Sequence, residues 1–134
     1  MLPLAVTVLI LLISSCSKTI RFAVSPVVPS AVGSVKFTTD DNKNMLMVLK
    51  VENLVDPSRL TPSKKTYIVW TENEDRAVRN LGRLVSSEAY FSTERNAKFS
   101  SPITTKPVRV FVTAENSADV QQPGNVTVLS TANF

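Results

Sequence analysis

Histidine is absent from the chain, cysteine occurs once, at Cys16, and glycine only three times. Without histidine, neither a Ser-His-Asp nor a Cys-His relay can be assembled. With one cysteine and no histidine the usual zinc ligands are missing too, so no metal and no cofactor is expected. A lone cysteine also forbids an internal disulfide, and the fold must be held by an apolar core rather than by the staples of small exported domains. Neither lysine nor arginine precedes Lys18. The 15 basic and 11 acidic residues give a net charge of +4. The cations are scattered, with only Lys64 and Lys65 adjacent. A nucleic-acid footprint needs its cations gathered on one face, so no nucleic-acid partner is expected. A mild pull toward anionic phospholipid or lipopolysaccharide surfaces fits this balance better.

What the N-terminus does have is an apolar run over residues 2–13 followed by Ser14, Ser15 and Cys16. The run is too short for a membrane-spanning helix, which takes about 20 residues, but it suits the apolar region of a secretory leader. Ile13-Ser14-Ser15-Cys16 resembles the lipobox of bacterial lipoproteins: an aliphatic residue, two small residues, then cysteine. That resemblance implies cleavage before Cys16, a diacylglyceryl group on its thiol and often an acyl chain such as palmitate on the new amine. The chain departs from the pattern in its nearly absent basic n-region. Ser17, where an inner-membrane retention signal has aspartate, implies sorting to the outer membrane in a host with two membranes. The expected organisation is a signal peptide over 1–15, a lipidated Cys16 with a tether over 16–32, and a β-domain over 33–134. Pro26 and Pro29 mark the tether, which is read as ending in a short edge strand.

Beyond the tether, alternation dominates. Val35 and Phe37 face one way and Ser34, Lys36 and Thr38 the other. Residues 39–43 form a turn-rich link, and 44–52 return as a strand with Met45, Met47, Leu49 and Val51 on one face, giving a hairpin. Leu46 and Val48 make its second face apolar as well, as expected of a central strand. Residues 53–65, with Pro57 and Pro62, are a long connection. Tyr67-Ile68-Val69-Trp70 has high β propensity. Residues 76–85 are ambiguous: Ala77, Leu81 and Leu84 have helical spacing, whereas Gly82 and the flanking strands favour a β-segment. Residues 88–93, 97–100, 106–113 and 125–130 read as further strands. Seven or eight short strands at this spacing predict an all-β, immunoglobulin-like β-sandwich or a closely related barrel.

Few residues invite chemistry. Asp40-Asp41-Asn42-Lys43-Asn44 resembles the start of a calcium loop, but an EF-hand needs glycine at position 45 and glutamate at 51, where this chain has Met45 and Val51. Glu72, Glu74, Asp75, Glu88 and Glu115 are the carboxylates available for acid–base work, and nothing in the sequence pairs them. Tyr67 and Trp70 are either core or a ligand platform. If Trp70 is buried, its indole N–H needs a partner, which the segment beginning at Asn80 could supply.

The order Asn53-Leu54, Pro62, Tyr67-Ile68-Val69-Trp70, Asn80-Leu81-Gly82-Arg83-Leu84 resembles the extracytoplasmic β-domain of anti-sigma-K-type regulators. The resemblance implies a β-fold in the cell envelope. It does not carry over sigma-factor regulation, because the chain lacks that family's cytoplasmic and spanning helices. The expected function is therefore a non-enzymatic envelope lipoprotein. It is held to a membrane by its N-terminal lipid, and its domain binds an envelope protein or polymer. The alternatives are a sensory or regulatory module with a membrane partner, and a glycan-binding or adhesion module using exposed Tyr67 or Trp70.

Overall fold

The computed structural model describes residues 18–87 and 95–134. Cys16, the leader, Glu88 and the strand expected over 88–93 lie outside the described residues. The strands are β1 (Lys18–Arg21), β2 (Val32–Thr39), β3 (Met45–Glu52), β4 (Thr66–Glu72), β5 (Val78–Leu84), β6 (Ser86–Ser87), β7 (Asn96–Ile103), β8 (Arg109–Glu115) and β9 (Thr127–Ser130). They form an immunoglobulin-like β-sandwich, as predicted. A five-stranded sheet has the order β1-β2-β3-β7-β6 and a four-stranded sheet the order β5-β4-β8-β9. Every pairing is antiparallel. Among the described residues the strands number nine, counting the two-residue β6.

The alternation read in the sequence sets which side chains meet between the sheets, because successive strand residues point to opposite faces. Val35, Phe37, Met47, Leu49 and Val51 come from the larger sheet, and Tyr67, Val69, Val110 and Val112 from the smaller. Each fully buried aliphatic side chain contributes about 1.5–3 kcal/mol. The strand β3 is central, as expected, lying between β2 and β7. Its outer face is only partly covered, with Val48 half-buried and Leu46 39% exposed.

The strand covered on both faces is instead β4. Tyr67 and Val69 join the inter-sheet core. Ile68 and Trp70 point the other way, into a second cluster with Phe111 that Val78, Ala118 and Val120 close over.

The ambiguous segment is the strand β5. Its register jumps between Val69–Gly82 and Trp70–Asn80, leaving Leu81 as an extra residue. Such a bulge shifts the pleat by one, so Leu81 and Leu84, three apart, both pack on the main core. The spacing that imitated a helix is the imprint of this bulge. Gly82 beside it has φ 130°, a region that a β-carbon disfavours. A matching shift opposite Val112 and Thr113 lets the neighbours Val128 and Leu129 both enter the core.

The tether expected over 16–32 is largely built into the sandwich. The strand β1 pairs with β2 over its whole length. The Phe22 N–H donates to the Gly33 carbonyl and the Ala23 N–H to the Ser130 carbonyl. Ser25 Oγ accepts from the Val27 and Val28 amides at 3.2 and 2.9 Å, and Val28 and Ala31 are buried. Pro26 and Pro29 thus shape a packed turn. The described sandwich begins at Lys18.

Candidate functional site

The residues singled out by sequence go mostly to packing. Trp70 is 0% exposed and stacks on Phe111 at 6.2 Å between ring centroids. Its indole N–H donates to Thr113 Oγ1 at 2.8 Å. The Thr113 hydroxyl in turn donates to Glu115 Oε1, also at 2.8 Å, and that oxygen accepts the Gly124 N–H at 2.6 Å. The close approach suits Gly124: a β-carbon would stand 2.9 Å from Glu115 Oε2 and press on that carboxylate. Asn80 does not meet the indole. Its Nδ2 donates to the Ala118 and Val120 carbonyls at 3.0 Å each, tying the loop over residues 116–124 onto the face that Trp70 occupies.

Tyr67 is buried and its hydroxyl donates to the Val55 carbonyl at 2.7 Å. Burial, with a smaller contribution from the Asp56 carboxylate, pushes the phenol up to about 12. A depression of about 370 Å³ opens beside it among Asp56, Lys65 and Arg83, but the phenol serves the backbone. Neither aromatic residue is available as an exposed platform, which removes the basis for glycan stacking on Tyr67 or Trp70.

Several of the carboxylates are likewise engaged, Asp75 among them through the Ala77 amide. Glu72 holds Arg109 at 2.7 Å, Glu115 is buried in the network just described, and Asp40 forms the hairpin turn. The Asp40 Oδ1 atom accepts the Asn42 and Asn44 amides at 2.9 and 2.8 Å, which lowers its pKa, the Asn44 amide contributing most. Among the described residues no group of three His, Cys, Asp or Glu side chains is placed to hold a metal. No helix among them is long and apolar enough to cross a membrane.

What the sequence did not reveal is the outer face of the five-stranded sheet. Register places Arg21 opposite Ser34, Ser34 opposite Lys50, and Lys50 opposite Lys98. One row of side chains therefore crosses four strands, about 14 Å at ordinary strand spacing. Lys36 stands in the next row, between Thr19 and Val48. All four cations are exposed. One carboxylate, Glu52, shares the face. A shallow depression of about 230 Å³ follows Arg21, Ser34, Lys50 and Glu52.

Among the described residues, the ion pairs Arg109–Glu72 and Arg95–Asp56 lie elsewhere, the latter at 3.7 Å. No described ion pair relieves Arg21, Lys36, Lys50 or Lys98. The cations that looked scattered are in part gathered on one surface. The separate strands carried no sign of it, since Arg21 fell in the expected tether and the row exists only once the register is known. Comparison with protein-family models, curated proteins and solved structures finds no match to this chain.

Proposed function

We propose that the chain is a lipid-anchored, non-enzymatic binding module of a bacterial envelope, tethered through Cys16 and making its contacts with the sandwich. The Ile13-Ser14-Ser15-Cys16 motif after an apolar run supports the anchor. The observation that carries the binding reading is the row Arg21, Ser34, Lys50 and Lys98, a predominantly basic surface among the described residues. A non-enzymatic role is favoured by the commitment of Glu72 and Glu115 to structure and by the absence of histidine from the sequence.

The test is mass spectrometry of the mature N-terminus from the native host, with membrane fractionation. The expected result is a chain that starts at Cys16, carries acyl mass and leaves the membrane fraction only with detergent. A chain that retains residues 1–15 with a free thiol overturns the anchor.

A further inference from the structure

We infer that the outer face of the five-stranded sheet docks onto anionic phospholipid headgroups, with Arg21, Lys36, Lys50 and Lys98 as the contacting cations. The first support is an unrelieved cost. Lys50 and Lys98 are directly opposed on neighbouring strands, an arrangement that disfavours the folded state on its own. A dense array of negative charge turns that repulsion into attraction. The second support is shape: the cations spread over a broad sheet surface, which suits a two-dimensional array of headgroups.

The third support is what accompanies them. Val32 and Leu46, 57% and 39% exposed, stand on the same face. Apolar side chains among cations suit the boundary between headgroups and acyl chains, and a polyanion in water gives them nothing.

The fourth support is proximity, and here the inference rests on the anchor proposed above. The strand β1 opens at Lys18, two residues after Cys16. That is a reach of about 7 Å for extended chain, inside the screening length of about 8 Å at physiological ionic strength. The edge strand that carries Arg21 is then held beside the bilayer.

The test uses the full chain with Cys16→Ser, so that no lipid contributes, and phosphatidylcholine vesicles with and without phosphatidylglycerol. The leader is common to all variants and partitions whatever the headgroup charge. The ratio of anionic to zwitterionic affinity therefore reads the face. Each cation near such a surface is worth roughly fivefold in affinity. The double variant Lys50→Gln/Lys98→Gln is thus expected to lose about 25-fold of that ratio, and the loss should shrink as salt rises. The double variant Arg59→Gln/Arg79→Gln removes the same charge elsewhere and should keep the ratio.

The Lys50→Gln/Lys98→Gln variant should unfold at no lower denaturant concentration than the parent, so lost binding is not lost folding. Three results overturn the inference: no anionic preference in the parent chain, equal losses in both double variants, or heparin binding that phosphatidylglycerol vesicles fail to displace. A preference mapped to Lys50 and Lys98 beside an unlipidated native Cys16 would retire the anchor and keep the docking face. An acylated Cys16 without that preference would do the reverse.

Discussion

Lys50 and Lys98 stand directly opposite each other across β3 and β7, on the solvent side of the larger sheet. Like charges in opposed positions are destabilising, and cross-strand pairs are worth about 0.2–1 kcal/mol. Lys98→Glu should therefore stabilise the domain by an amount in that range, and Lys98→Gln by less. Urea unfolding at low salt checks this, and the gain should fade with added salt as exposed charges are screened.

Thr113 links the indole of Trp70 to the carboxylate of Glu115 through one hydroxyl. Replacing it with valine leaves a buried N–H without an acceptor and removes a donor from Glu115. The expected cost is about 1–3 kcal/mol. Thr113→Ser, which keeps the hydroxyl, should retain most of the stability. Trp70 is the sole tryptophan, so its fluorescence during denaturation reads the network directly.

Asn80 holds the middle of the loop over residues 116–124 and Gly124 its end. Asn80→Leu removes two hydrogen bonds to the Ala118 and Val120 carbonyls, each worth about 0.5–1.5 kcal/mol. Gly124→Ala forces a β-carbon against Glu115. Both substitutions should speed amide hydrogen exchange in the loop well before they weaken protection at Val110 or Val112, whose strand has its other face in the main core. Uniform acceleration throughout the sandwich would contradict this ordering.

Two pH limits follow from named groups. Tyr67 is raised from its ordinary 10.0 to about 12, so the folded state holds its proton more tightly than the unfolded state. That stabilisation is complete below pH 10 and is lost as pH rises to about 12. In ultraviolet titration Tyr67 should ionise near 12, and Tyr67→Phe should flatten the alkaline fall in stability. At the acid end, Asp40, Asp56 and Asp119 sit below their ordinary 3.8. The largest causes are the Asn44 amide for Asp40, the Ser58 hydroxyl for Asp56 and the Ser117 hydroxyl for Asp119. Their contribution is present above 3.8 and disappears as pH falls through the lowered folded values. Thermal unfolding should show an acid decline that Asp40→Asn makes shallower.

The two strong patterns, Val35 with Phe37 and Tyr67 through Trp70, were legible because period-two alternation is local and each sheet buries one face. The strand β5 was half-legible, since an inserted Leu81 breaks the alternation it belongs to. The strand β1 was read as part of a tether because Pro26 and Pro29 follow it, while its pairing with residues 34–37 lies beyond any local window. The partner of Trp70 was out of reach for the same reason, Thr113 being 43 residues away. The basic row is the extreme case, since its residues come from four strands and no one strand carries more than one of its cations.

The bulge in β5 has a further effect, because among the described residues that strand is an outer strand of the four-stranded sheet. Open margins recruit their like through unpaired amides and carbonyls when copies crowd together. Here the extra residue interrupts the repeat of those groups, and Arg79 and Arg83 add like charge along it. A neighbour could match only a few consecutive positions along β5 before losing step, so this edge is a poor template for adding a further strand.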